Sequence, residues 1–499
     1  MNDSGVDLLI VNAPGKRKIY QGLANDLVAY EPPIWAGFIA NFIRRNGLSV
    51  AILDAEALDL THEETAKRIC NARPVLALFC IYGQQPSAST QCMPAAGEVC
   101  RLVKETAQDL MTMFLGTHPS ALPERTLREE KTDFVCQGEG PYTVLETLHK
   151  LKAGQTDFKG VAGLWYREGG KPVGNARGKN IENLDEELPG MAWDLLPMDR
   201  YRAHNWHCWE NIHERKPYAS LYTSLGCPYK CSFCCINAPF GGSGIRFFSP
   251  EAIIKEIDIL VRDYNVRNIK IADEMFVLHP KHVLGLCDLI IERNYDLNIW
   301  AYARVDTIKD RFLEKLKLAG FNWLGLGIES GSKFVRDGVE KGRFGDLDIK
   351  ATVAKVRNAG INVGANYIFG LPDDTLKSMQ ETLDLALELN TEYANFYCAM
   401  AYPGSPLHKL AEEKGLPLPE DPDGPGWIGY SQHAYEAYNL PTESLSAGQV
   451  LAFRDKAFQT YFTSTAYKDM MRQKFGEDVV AHLESMTSHK LERKYAIPF

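Results

Sequence analysis

A chain of 499 residues is too long for one ordinary domain, and its 45% apolar and 24% charged residues read as a soluble globular protein of two or three domains. A net charge of −9 excludes the basic footprint of sequence-independent nucleic-acid binding, so no nucleic-acid partner is expected. No charged segment followed by an apolar one opens the chain, and no run of about 20 apolar residues occurs, so neither a signal peptide nor an integral membrane segment is expected and a cytoplasmic location is.

From the N-terminus, short apolar runs at 8–11, 50–53, 75–80, 111–115 and 133–136 predict buried strands. Between the first two, PIWAGFIANFIRRNG carries apolar Ile34, Phe38, Ile39 and Ile43 at helical spacing, and Gly47 ends the pattern. This α/β alternation predicts a doubly wound, Rossmann-like parallel sheet over 1–165, with ligands bound beyond the carboxyl ends of its strands. Residues 166–215 break the rhythm and predict a linker with room for a short hairpin.

Alternation resumes at about 218. YASLYTSL and the runs at 268–272, 298–303, 322–328, 361–370 and 393–400 predict strands, each followed by a helical pattern. In the first of these helices Ser249 is the N-cap, Pro250 sits in the first turn, and Ile253, Ile254, Ile257, Leu260 and Val261 share a face. Six βα units predict a partial (β/α)6 TIM barrel over 216–415, and 416–499 predicts a mainly helical C-terminal domain.

Most of the twelve cysteines, such as Cys80 and Cys136, read as small buried hydrophobes. Four lie within nine residues. Cys227, Cys231 and Cys234 have the spacing C-x3-C-x2-C directly after a predicted strand, hence on a loop at the carboxyl face of the barrel. Three thiolates there can hold one face of a four-iron cluster and leave one iron open. Structural zinc, the alternative, more often uses two separated pairs. Cys235 could supply a fourth ligand, but adjacent residues on a loop point differently, and it is expected to be a bystander.

GCPYKCSFC after a strand, in a chain of six βα units, resembles the radical S-adenosylmethionine (SAM) superfamily. The resemblance implies a [4Fe–4S] cluster whose open iron chelates SAM, an external electron donor such as flavodoxin or ferredoxin, and a 5′-deoxyadenosyl radical that abstracts hydrogen. IADEMF resembles the motif that holds the SAM amino group. Asp273 and Glu274 are its candidates, and their departure from the commoner glycine-glycine-glutamate leaves open which one makes the contact. Arg304 in WAYARVD resembles the arginine that pairs the SAM carboxylate. Glu329 and Ser330 in GLGIESGS resemble residues near the SAM sugar and methionine, and Asn366 and Tyr367, before FGLPDD, are expected to face the pocket.

The first domain resembles the cobalamin-binding domain of cobalamin-dependent radical SAM enzymes of the class B methyltransferase kind, through 31–56, LGTHPSALPE (115–124) and CQGEGPYTVLETL (136–148). The resemblance covers about residues 5 to 415. It implies that Gly116, Thr117, His118, Gln137, Gly138 and Glu139 lie near the nucleotide tail of cobalamin and that Tyr82, Gly83 and Gln84 approach the corrin. The D-x-H-x-x-G signature is absent, so no histidine ligand to cobalt is expected, and His118 is structural or near the tail. Ordinary turn chemistry is the alternative for each glycine and glutamine.

The implied activity is methylation of an unactivated carbon in a small-molecule or biosynthetic-intermediate substrate, by way of the deoxyadenosyl radical and methylcobalamin. The alternatives are a cobalamin-dependent radical SAM cyclase or ring-remodelling enzyme that transfers no methyl group, and a non-catalytic cobalamin or iron–sulfur sensor. Trp427, Tyr430, His433 and Tyr435 form an aromatic stretch that reads either as a lid over the barrel, with Tyr430 and His433 as catalytic candidates, or as a packed domain junction.

Overall fold

The computed structural model describes residues 5–24, 27–339 and 348–498. The N-terminal strands are β1 (Leu8–Asn12), β2 (Val50–Asp54), β3 (Leu76–Ile81), β4 (Thr112–Gly116), β5 (Phe134–Cys136), β6 (Leu164–Glu168) and β7 (Lys171–Gly174), in one sheet of order β2-β1-β3-β4-β5-β6-β7. The first five run parallel. Every residue of β3 is buried, as an unbroken apolar run requires of a strand covered by helices on both faces. The helix Ile34–Arg45 covers one face, with Trp35, Phe38, Ile39, Phe42 and Ile43 inward.

β6 and β7 extend this sheet antiparallel, so the expected linker begins inside a hairpin that belongs to the first sheet. The rest of 166–215 is no loose tether either. Trp193, Trp206 and Trp209 are buried, and Glu256 accepts from the Trp193 indole (2.8 Å) and the Met191 amide (3.0 Å).

The second sheet contains β8 (Tyr218–Leu221), β11 (Asn268–Ile271), β12 (Asn298–Arg304), β13 (Phe321–Glu329), β14 (Asn362–Phe369) and β15 (Tyr393–Cys398); a hairpin of β9 (Ser224–Cys227) and β10 (Gly244–Phe247) is inserted after β8. The six strands are all parallel, in the order β15-β14-β13-β12-β11-β8, as a curled partial barrel with two edges. The helix Pro250–Tyr264 starts with Ser249 accepting from the Ala252 amide, as its sequence predicts. Beyond an irregular stretch, helices Ala447–Phe462, Thr465–Phe475 and Glu477–Ser488 close the chain. Tyr461 and Tyr467 of this group are buried and donate to the Thr391 and Glu392 carbonyls next to β15, so the C-terminal helices pack directly on the barrel wall. Among the described residues no helix is long and apolar enough to cross a membrane.

Candidate active site

A cavity of about 250 Å³ lies at the carboxyl ends of the barrel strands, and Cys227, Cys231 and Cys234 line it together. Cys227 is the last residue of β9, so the inserted hairpin rather than β8 itself presents it. Gly226 (φ +89) precedes it, and a Cβ there would run into the Gly244 carbonyl across the hairpin. The loop is anchored further on, where the Ser232 amide donates to the Val339 carbonyl (3.0 Å) and the Leu407 amide to the Ser232 carbonyl (2.8 Å). Burial pushes the Cys227 thiol up to about 11 and the Cys234 thiol well above its usual range, so protons leave as a metal arrives. Cys235 borders the same cavity. One thiol per iron for three irons fits a four-iron cluster with an open corner.

The two acidic candidates separate cleanly. Asp273 is buried and accepts from the Thr223 amide, the Thr223 hydroxyl and the Ser224 hydroxyl, each at 2.6 Å. It fastens the entry to β9 and does not line the cavity. Glu274 does line it, and burial pushes its carboxyl up to about 7.

Arg304, at the end of β12, lines the cavity and is 3% exposed. Asp306 holds its Nε (2.9 Å) and one Nη (3.0 Å), Tyr229 lies under the guanidinium at 3.9 Å, and the other Nη is 3.9 Å from the Cys231 sulfur. Asp306 and Tyr229 together fix the plane of this guanidinium. Glu329 also lines the cavity, with φ +67 where the β13–β14 register shifts. A left-handed non-glycine costs about 1–3 kcal/mol, and such strain gathers at functional sites.

Not every neighbour follows. Ser330 turns away from the cavity and binds Thr382 Oγ1 (3.1 Å) and the Ser332 amide (3.2 Å), which corrects its expected place beside SAM. Asn366 lines the cavity and accepts from Asn395 (2.8 Å). Tyr367 points to the other face of β14 and stacks on Phe396 at 5.4 Å, as the alternation of a strand requires.

A second cavity, about 430 Å³, fills the barrel lumen. It shares Gln85, Ser87, Tyr302, Tyr397, Tyr402 and Gln432 with the first. Sequence reading assigned none of the six to a site. Tyr302 was within reach, two residues before Arg304 and therefore on the same strand face. Gln85 and Ser87 come from a loop of the first domain with no pattern to mark them. His433 lines the lumen, 5.4 Å from the Tyr20 ring, and burial holds its imidazole well below the usual range. Tyr430 reaches neither cavity. Its hydroxyl donates to Glu420 (2.6 Å), which also holds His408 (2.8 Å), and this corrects its candidacy as a catalytic residue. Trp427 of the same stretch packs edge-on against His118 at 4.4 Å, so this part is a domain junction.

The ends of β1, β2 and β3 line a third cavity of about 100 Å³ with Tyr82, Gly83 and Gln84, facing Tyr222 and Ala272 of the barrel. It meets the lumen at Tyr20, Gln84 and Gln91. Tyr82 stacks on Trp35 (5.1 Å, 13°), and its buried hydroxyl has no partner among the described residues. A flat aromatic pair with an unused donor, at a strand-end cleft, fits the edge of a large planar ring.

The residues assigned to the nucleotide tail do not line these three cavities, and only Thr117 borders a small space behind Tyr82. A Cβ on Gly116 would meet the Ile81 carbonyl. His118 is buried, with its amide on Ser89 Oγ (3.0 Å) and its ring by Thr90 Oγ1 (3.3 Å). Gln137 accepts from the Trp165 indole (3.2 Å), and the Gly138 amide donates to Ser120 (3.1 Å). Glu139 accepts from the Ile181 amide and from Arg246, both at 2.6 Å. His118, Gln137, Gly138 and Glu139 thus have protein partners, as the structural alternative for them expects.

A radical SAM superfamily profile matches residues 221–386, and a B12 binding domain profile matches residues 20–148. The chain is 31% identical over 388 residues to an uncharacterized methyltransferase of Pyrococcus horikoshii, covering 78% of this chain and 80% of that protein. It is 24% identical over 482 residues to the anaerobic magnesium-protoporphyrin IX monomethyl ester cyclase of Rubrivivax gelatinosus, covering 93% of this chain and 80% of that one. Among solved structures, the cobalamin-dependent S-adenosylmethionine radical enzyme OxsB, with aqua-cobalamin and S-adenosylmethionine bound, matches at a TM-score of 0.69 and 17% identity over 97% of this chain and 72% of that chain. The radical S-adenosylmethionine methyltransferase TsrM of Kitasatospora setae, with cobalamin and a [4Fe-4S] cluster bound, matches at 0.68 and 15% identity over 96% and 100%. At these identities the two structures show a shared fold.

Proposed function

Since this chain belongs to the radical SAM superfamily, in the branch that carries a B12-binding domain, we propose that it is a methyltransferase acting on an unactivated carbon of a small molecule. The family's cofactors are a [4Fe–4S] cluster, SAM and cobalamin. When bound, the cluster supplies one electron for SAM cleavage and cobalamin supplies the methyl group. Cys227, Cys231 and Cys234 hold the cluster, Arg304 takes the SAM carboxylate, and Glu274 the amino group. Tyr82, Gly83 and Gln84 border the corrin, and no histidine of the chain is assigned to cobalt. Tyr302, Tyr397, Tyr402 and Gln432 orient the substrate and exclude water. A flavodoxin or ferredoxin is the electron source in this reading.

The observation that carries the proposal is continuity. The lumen shares one set of residues with the cluster cavity and another with the strand-end cavity, which supports a radical source at the one and a methyl source at the other acting on one substrate space. Cyclisation without methyl transfer is the second reading, favoured by the cyclase relative that matches 93% of the chain. A sensor would have no use for a SAM-binding set such as Glu274 and Arg304.

The test is anaerobic purification from cobalamin-fed cells, then addition of reductant, SAM with a deuterated methyl group, and a small-molecule extract. About four irons per chain, bound cobalamin, 5′-deoxyadenosine and a product carrying the label on carbon are expected. SAM cleavage with an unlabelled product selects the cyclase. Iron without cobalamin overturns the proposal.

A further inference from the structure

The lumen is not uniform along its length. Its inner end is aromatic: Trp206 lies 5.1 Å from Trp300 and 5.2 Å from Tyr393, and Trp300 lies 4.9 Å from Tyr302. The Trp300 indole N–H is buried there with no partner among the described residues. A buried donor left unpaired beside a cavity is unfavourable unless a ligand meets it. The charge at this end is balanced, because Lys270 binds Glu31 at 2.9 Å and the Gln84 carbonyl at 2.9 Å. This end also opens on the collar shared with the cluster cavity, which includes Tyr302.

The outer end, between the helices Ala447–Phe462 and Glu477–Ser488, is basic. Asp455 is the only carboxylate on the lumen wall among the described residues, and Arg454 (2.8 Å) and Arg493 (2.9 Å) both hold it. Lys456 and Lys490 line the same wall, are exposed, and have no acidic partner among the described residues. His489 stands beside Lys490. A volume of about 430 Å³ falls in the range of sites for compact organic molecules.

We propose that the substrate is a planar aromatic or heteroaromatic molecule bearing a carboxylate or phosphate on a tail. Its ring lies against Trp206, Trp300 and Tyr393, and its anion lies between Lys456 and Lys490. This rests on the reading of the site as a radical SAM centre.

The test uses the anaerobic holoenzyme and a pair of probes alike in ring and opposite in charge, 2-naphthylacetate and its neutral amide. Ligand-observed NMR titration reads their affinities with and without loaded cobalamin. The acid is expected to bind about tenfold more tightly than the amide at low salt, with the advantage shrinking as salt rises. Lys456→Glu with Lys490→Glu, both on exposed positions, abolishes the preference. Trp300→Leu weakens both probes alike. Equal affinity of acid and amide, no binding of either, a preference that survives the double reversal, or exclusion of the acid by cobalamin each overturns the proposal. Absence of iron or cobalamin from the parent protein is scored separately, as failure of the underlying reading.

Discussion

At the carboxyl edge of the barrel, β11 to β14 each bring a side chain to one cavity: Glu274, Arg304, Glu329 and Asn366. At the carboxyl edge of the N-terminal sheet, β1 to β3 do the same with Asn12, Asp54 and Tyr82, but β4 and β5 lead into residues engaged elsewhere. Gln137 meets Trp165, Glu139 meets Arg246 and Ile181, and His118 lies under Trp427. Both edges have the topology that favours ligands. Topology nominates a strand end, and competing partners inside the chain decide whether that end remains available.

The strongest way to break this contrast is at the cysteines. Cys227→Ser, Cys231→Ser and Cys234→Ser should each lose the cluster and all SAM cleavage, read by iron content, electron paramagnetic resonance and 5′-deoxyadenosine. Cys235→Ser should keep its iron although it borders the cavity. Loss of iron from that variant would show that spacing alone misjudged the ligand set.

The next effect belongs to the other edge. Glu139 and Arg246 join the first domain to the β10 strand of the second, with the carboxylate almost fully buried. Glu139→Ala leaves Arg246 without its partner and should cost about 3 kcal/mol in urea unfolding. Cobalamin affinity should stay unchanged. An unchanged stability with weakened cobalamin binding would return Glu139 to the tail site.

Much of the fold was legible because it rests on local periodicity. The five parallel strands of the first sheet and the six of the barrel fall on the apolar runs of the sequence. The β9–β10 hairpin was not legible, since four-residue strands leave too few alternations to detect. In the site, the cysteine triplet was readable because its three members lie within eight residues on one loop. Asp273 and Glu274 were inseparable, because the difference lies in Thr223 and Ser224, some fifty residues away, which claim one of them. Ser330 and Tyr430 are likewise engaged by partners their own motifs do not show, Thr382 and Glu420.

A smaller effect sharpens the barrel side. Arg304 is held by Asp306 before any ligand arrives, so its contribution is orientation as well as charge. Arg304→Ala should weaken SAM binding about 100-fold with iron content intact, and Arg304→Lys should recover only part, because an ammonium lacks the two-pronged geometry. Full recovery with lysine would mean that charge alone matters there.

The smallest effect is a pH dependence at His118. Burial lowers its imidazole to about 3, against an ordinary value of about 6.5 in the unfolded chain. Between those values the unfolded chain binds a proton that the folded protein refuses. The neutral ring therefore leaves stability intact above about 6.5, and stability falls as pH drops through the window. Each unit is worth about 1.4 kcal/mol, so by pH 5 the loss from this residue is about 2 kcal/mol. Other buried groups respond in the opposite sense, since Asp273 is raised to about 6, and the useful measurement is a difference between two proteins. His118→Gln should be less stable than the parent at pH 7.5 and should close about 2 kcal/mol of that gap by pH 5, read from urea midpoints at both pH values. A gap that stays constant would mean that the ring titrates in the folded protein as it does in the unfolded chain, and a gap that widens toward pH 5 would mean that the folded protein holds it protonated, as an adjacent phosphate would.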